Sequence, residues 1–253
     1  MDYKAIPTGM PVLSSRQRKL MPDHESTLEA PADKRQKKPF WRLWECPLCR
    51  RPSEETRAEL LNAAFEEIHR FGFQAASISR ILKHTGVTKG ALYHYFPSKK
   101  ALGYAVLDEI IREQMLAFWI KPLEDGNPID VLIHIIREAG RQMTLDDIRL
   151  GCPLANLSQE MSPVDEGFRE RVETLYTEWR HGIAAALRKG QASQQVRADI
   201  DPDATAVMLV ASLEGCLATA KNAQTRELLL QCGRSLIQIL DSFRPPKGDN
   251  NNG

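Results

Sequence analysis

Long apolar runs are missing from this chain. No stretch approaches the roughly 18 apolar residues in a row that a membrane span needs, so no span is expected. Nor is there a charged start leading into an apolar core and a small-residue cleavage site. No secretory leader is therefore expected, and the chain is read as cytoplasmic. Cysteine is scarce: five residues, an odd number without framework spacing, argue against a disulfide scaffold and for reduced thiols. Strand-like alternation is absent from the body and no internal repeat is found, which leaves an all-helical reading. No phosphate-binding loop and no paired acids stand out, and Cys46 and Cys49 supply only two of the four ligands zinc wants. No enzyme signature, metal site or cofactor is expected.

What is present is unevenly placed. The formal charge is +1, but residues 1–50 carry ten Lys/Arg against six Asp/Glu, and residues 51–104 carry eight against five. The remainder has sixteen against twenty-two. A basic front and an acidic body suit a chain that meets nucleic acid at one end, although solvated helix faces also vary this much. Residues 1–50 are rich in Pro, Ser, Lys and Arg without period and read as a disordered arm. Its basic run Asp33 to Phe40 is either a phosphate-following tail or simply solvated.

The stretch around which the chain is organised is residues 77–100, SISRILKHTGVTKGALYHYFPSKK. Ser77 is placed to cap a short helix carrying Ile78, Ile81 and Leu82 on one stripe. Gly86 ends it, since glycine takes positive φ without a Cβ clash. Val87 is a peg, and Thr88 caps a second helix with Leu92 and Phe96 inward. Pro97 stops that helix. Outward stand Lys89, Gly90, Ala91, Tyr93, His94 and Tyr95: small at the start, then polar, aromatic or basic. This is the profile of a recognition helix whose start approaches base edges while its flanks hold phosphates. Upstream, residues 53–71 predict a bracing helix capped by Ser53, with a stripe of Leu60, Ala64, Phe65, Ile68 and Phe71 closed by Gly72.

The run GVTKGALYHYFPSKKAL, Gly86 to Leu102, resembles the DNA-binding region of the TetR family of transcriptional regulators. TRAELLNAAFEEIHRFGF, Thr56 to Phe73, looks like that family's first helix. Ala76 and Leu82 depart from the usual threonine and alanine. The resemblance implies that Ser77, Thr88, Lys89, Gly90, Ala91, Tyr93, His94, Tyr95 and Lys99 form the DNA-facing set. Thr88 and Tyr93 would hold phosphate, Lys89 would donate to guanine acceptors in the major groove, and Lys99 would pin a flanking phosphate. For Tyr93 and Tyr95 the alternative is packing against a neighbouring helix. Arg57 is a phosphate candidate or a solvated helix-start arginine.

The body predicts a linking helix from Lys99 to about Trp119, then helices over 128–143, 164–190, 203–221 and 225–243. Leu150 to Pro163 predicts a further helix started by Pro153, with Cys152 at its edge, where a helix dipole lowers a thiol's pKa. Cys152 is a sensor thiol or a small buried hydrophobe. Trp119, His134, Met143, Cys152, Asn156, Trp179 and Glu214 are the candidate ligand-pocket residues. Small residues on the last two helices permit close approach, and the resemblance implies a four-helix homodimer interface.

The expected organisation is thus an arm over 1–50, a helix-turn-helix domain over 51–98, a helical effector and dimerisation domain over 99–243, and a tail over 244–253. The expected function is a homodimeric repressor, released from a pseudo-palindromic double-stranded DNA operator by a small-molecule or electrophile effector. The alternatives are a redox regulator acting through Cys152, an enzyme using Cys152 with His134 or His181, and a helical adaptor without DNA binding.

Overall fold

The computed structural model describes residues 52–246. The expectations placed on the arm, including Cys46, Cys49 and the Asp33–Phe40 run, and on residues 247–253 lie outside the described residues. Among the described residues there is no strand.

The first helix, α1 (Pro52–Phe71), begins one residue earlier than expected. Proline suits a first helical position because it has no N–H to leave unpaired, so Ser53 falls inside the first turn rather than at the cap. Leu60, Ala64, Phe65 and Ile68 are buried as predicted, joined by Leu61. The stripe runs out before Phe71, which is 48% exposed at the helix end. The guanidinium of Arg80 covers its ring at 4.5 Å. Gly72, with φ 81, turns the chain.

Next come α2 (Ile78–Thr85) and α3 (Lys89–Tyr95). Gly86 sits between them at φ 69, its N–H donating to Leu82 O, as its sequence position predicts. Leu92 and Phe96 are fully inside, and Val87 and Leu82 are half-buried against the same core.

The connecting helix starts as α4 (Lys99–Ala105), capped by Ser98, and runs on without a break. It passes through a π-helical stretch Val106–Ile111, α5 (Arg112–Met115) and a second π-helical stretch Leu116–Ile120, and ends in the 3₁₀ turn Lys121–Glu124. The body follows as α6 (Pro128–Gln142), α7 (Leu145–Leu150), α8 (Pro153–Met161), α9 (Glu166–Ala192), α10 (Pro202–Ala223) and α11 (Arg226–Ser242). The short α7 has no separate signal in the sequence pattern. It is fixed by a reciprocal capping box in which Thr144 and the buried Asp147 each accept the other's backbone N–H.

Aromatic packing joins the first three helices to the body. Phe73 lies 4.6 Å, ring to ring, from Phe168 of α9, and Tyr104 lies 4.9 Å from the same ring. Gly103 makes room, since a Cβ there would stand 2.5 Å from the Phe73 ring. α10 is long and apolar enough to cross a membrane by length and composition alone, although Asp203, Glu214 and Lys221 interrupt it. Only 22% of its most apolar window is buried within one chain.

Candidate functional site

Two features stand out: an exposed helix face on α3 and a cavity in the body. On α3, Thr88 caps the helix as predicted, its Oγ1 accepting from Ala91 N–H at 3.2 Å. Lys89, Gly90, Tyr93 and His94 are exposed, and Ala91 is half-exposed. Lys89 Nζ lies 5.9 Å from the Tyr93 ring centre. Nothing stands within 4 Å of a Cβ built on Gly90, so this start of the helix presents bare backbone outward. Tyr95 divides its surface: its ring meets His94 edge-on at 5.4 Å and its body packs half-buried on the core.

Three residues near this face make contacts that the sequence does not show. Ser77 occupies the N-cap position of α2, but its hydroxyl makes no cap bond. The buried Glu67 carboxylate instead accepts the Ser77 backbone N–H and the Arg80 Nε–H, at 2.8 and 2.6 Å, and so supplies the order a cap would give. Lys99 is held by its own fold: Nζ donates to Gln74 O at 2.9 Å and lies over the Phe73 ring. Arg57 points at Glu109 of the connecting helix, in a bidentate pair with both contacts at 2.6 Å. An arginine so matched to a carboxylate is not a free phosphate ligand.

The cavity, about 810 Å³, opens among α6, α9, α10, α11 and the connecting helix. Trp119, His134, Met143, Cys152, Trp179 and Glu214 all line it, six of the seven residues singled out in the sequence. Asn156 does not. Its amide donates to Leu150 O at 2.8 Å and accepts from Lys221 Nζ at 2.7 Å, bracing the α7–α8 turn against α10. The rest of the lining is chiefly apolar, including Ile136, Leu213, Leu217, Leu229 and Leu236, and the size suits a small organic molecule. Trp119 and Trp179 stand 5.0 Å apart, ring to ring, and Tyr176 stacks parallel to Trp179. The buried Trp179 indole N–H finds no acceptor among the described residues.

The electrostatics reverse one expectation. Cys152 does stand at the N-terminal edge of α8, but its thiol is raised well above the ordinary range rather than lowered. Burial is the main cause and the Glu214 carboxylate the next. The dipole argument fails because a short helix cannot offset loss of water plus a facing negative charge. The thiol donates to Glu214 Oε1 at 3.2 Å. Burial in turn pushes Glu214 up to about 7, against the pull of that S–H.

A set of head-to-body contacts was not legible in the sequence. Glu160, near the end of α8, accepts the backbone N–H groups of Phe73 and Gln74, each at 2.8 Å. His69 of α1 reaches Gly151 O at 2.8 Å, and burial lowers this ring to about 4. No local pattern marks Glu160, because its partners lie 86 and 87 residues away.

Comparison with known proteins places these features. Residues 60–106 match the family of bacterial regulatory proteins called tetR, and residues 128–234 match the tetracyclin repressor-like C-terminal domain. The transcriptional regulator AcuR of Cereibacter sphaeroides is 31% identical over 164 residues, which is 64% of this chain and 74% of that protein. The HTH-type transcriptional repressor DhaR of Mycobacterium sp. is 30% identical over 162 residues, 63% of this chain and 79% of that one. The crystal structure of regulatory protein TetR from Rhodobacter sphaeroides aligns with TM-score 0.65 at 28% identity, covering 72% of this chain and 97% of that one. Regulators of this kind bind operator DNA as dimers and are generally repressors. An N-terminal helix-turn-helix domain followed by a C-terminal helical domain is what such regulators share, and the chain belongs to the TetR family of transcriptional regulators.

Proposed function

We propose that this chain is a homodimeric repressor released from a pseudo-palindromic operator when a small molecule fills the body cavity. The observation that carries the reading is the pairing of an exposed recognition face on α3 with an apolar cavity whose wall is tied to the head. Lys89 would read guanine acceptors, while Thr88, Tyr93 and His94 would hold backbone, with Gly90 and Ala91 letting the helix approach. The uncovered faces of α10 and α11 would meet their copies. Val207, Leu230 and Ile239 are exposed there, and a Cβ on Gly215 would enter open space.

The path between the sites runs along α8. Cys152, at its start, lines the cavity and Glu160, near its end, holds the Phe73–Gln74 backbone. A ligand that displaces the Cys152 end would shift this grip on the head and alter the separation of the two α3 helices, a coupling of about 1–3 kcal/mol if typical. An oxidant route through Cys152 has no support from its environment, which holds the thiol protonated.

The test is fluorescence anisotropy of the dimer against the DNA just upstream of its own gene, beside a scrambled duplex, across a salt series. Tight binding to the first alone, with two subunits per site and a steep salt slope, supports the reading. No binding to either at low salt sinks it.

A further inference from the structure

The cavity holds an arrangement that the regulator reading does not use. Glu214 is a carboxylate inside a largely apolar chamber, and no cation is provided for it among the described residues. Its hydrogen-bond partner is the uncharged Cys152 thiol. The nearby basic groups are engaged elsewhere: Lys221 with Asn156 Oδ1 at 2.7 Å, Arg180 with Glu173 at 2.6 Å, and Arg141 with Glu138 at 3.1 Å. Arg137 and Arg234 line the cavity but are exposed, at its mouth. The same chamber is walled by Trp119 and Trp179. A lone desolvated carboxylate gains most from a positive partner that sheds little hydration.

We infer that the cavity selects organic cations with an apolar body, a quaternary or protonated amine. The positive group would sit at Glu214, and the hydrocarbon would lie against the tryptophans and the leucines of α10 and α11. As the effector site, this rests on the regulator reading; as a binding site, it stands without it. A neutral apolar ligand would leave Glu214 buried beside a low-dielectric body. An anion would add like charge to it. Size is no obstacle, because about 810 Å³ exceeds a naphthyl ammonium ion several-fold.

A permanent cation should bind better as Glu214 ionises. With Glu214 titrating at about 7, affinity should rise about tenfold from pH 6 to pH 8 and level off above. The other titratable or charged groups facing the cavity are Cys152 from the α7–α8 junction, His134, Arg137, Glu138 and Arg141 from α6, Cys216 from α10, whose thiol burial pushes up to about 12, and Arg234 from α11. Tyr176 of α9 feels the Glu214 charge and is itself raised by burial beyond the working range. Of these, His134 is the one to control for, by His134→Gln.

The experiment is isothermal titration calorimetry of the full-length dimer with three probes. These are naphthylmethyl-trimethylammonium, its uncharged carbon isostere neopentylnaphthalene, and naphthylacetate. The cation should bind at least tenfold tighter than the isostere. Glu214→Gln should remove that preference and the pH dependence while leaving the isostere's affinity within about twofold, which also shows the variant is folded. Equal binding of cation and isostere overturns the inference. So does a preference for naphthylacetate, which would assign selectivity to Arg137 and Arg234, or a pH dependence that survives Glu214→Gln. No binding of any probe at millimolar concentration overturns it too. Operator anisotropy on the same preparations separates the two readings: cation binding without operator binding leaves the site standing and removes the regulator.

Discussion

Replacing Glu160 by alanine should leave both functional sites intact and break the link between them. The carboxylate accepts two backbone N–H groups at 2.8 Å. A hydrogen bond to a charged group contributes about 1.5–3 kcal/mol when neither partner can turn to water. Gln74 is exposed and its N–H rehydrates on loss of the partner, whereas Phe73 is buried. The pair should therefore contribute about 2 kcal/mol rather than the full sum. At about 2–4 °C per kcal/mol for a body of this size, the melting midpoint should drop by about 4–8 °C. Operator affinity without ligand should change less than about threefold, because the α2–α3 contacts are untouched. The weakening of operator binding by naphthylmethyl-trimethylammonium should shrink from a coupling of about 1–3 kcal/mol to under about 0.5 kcal/mol. Glu160→Gln should fall between, since the amide keeps one acceptor oxygen and sets its NH₂ against the second N–H. Calorimetry and anisotropy with and without the cation measure all of this. A Glu160→Ala protein that still releases DNA with full coupling would refute α8 as the link, whatever its melting point.

Other expectations follow from single contacts. Gly90→Ala should raise the melting point slightly, since alanine is about 1 kcal/mol better than glycine within a helix and the added Cβ meets nothing within 4 Å. It should nonetheless weaken operator binding at least tenfold, so a variant that gains stability and keeps its affinity would remove Gly90 from the interface. Acid should destabilise the fold through His69. Its folded value of about 4 lies below the ordinary 6.5, so the unfolded chain takes up the proton first. The stability it provides is present above pH 6.5 and lost as pH falls towards 4, by about 3 kcal/mol at most. Urea titrations at pH 7 and 4.5 should show this loss in the native chain and less of it in His69→Gln. Phe168→Ala should cost about 3–5 kcal/mol, because the ring is fully buried and supports both Phe73 and Tyr104, and thermal melts will read it. Alkylation of Cys152 by iodoacetamide at pH 7.5, followed by mass spectrometry, should be slow until the protein is unfolded. Rapid modification of the native chain would restore the sensor reading.

Local signals carry the head. Gly86, Thr88, Leu92 and Pro97 each impose a conformation or a burial through chemistry a few residues wide, and the structure places each as that chemistry requires. The helix order of the body is legible from period alone, to within a residue or two at most ends, with α7 the exception. Long-range partners are not. The neighbours of Ser77 in sequence suggest a cap, but Glu67, ten residues back, holds its N–H instead. Lys99 and Arg57 look free for phosphate because sequence does not show which distant groups meet them, yet Gln74 and Glu109 engage them from other elements. For Cys152 the sequence shows a helix dipole; it does not show burial, nor does it place Glu214 at the thiol from 62 residues away.

The position of α8 also explains why a ligand would move this wall of the cavity and not another. On the proposed reading α10 and α11 are held by a partner subunit, so their side of the cavity resists displacement. α9 is 27 residues long and buried along one face by Phe168, Val172, Leu175, Trp179 and Ile183, so it resists too. α8 has nine residues, about 14 Å at 1.5 Å per residue. Gly151, at φ 71, precedes it and a turn ends it at Ser162. A segment that short moves as one piece. On the proposed reading a displacement at Cys152 reappears at Glu160, whose carboxylate stands 2.9 Å from where a Cβ on Gly72 would lie. The glycine thus serves two needs at one place, a positive φ to end α1 and a bare surface on which the body grips the head.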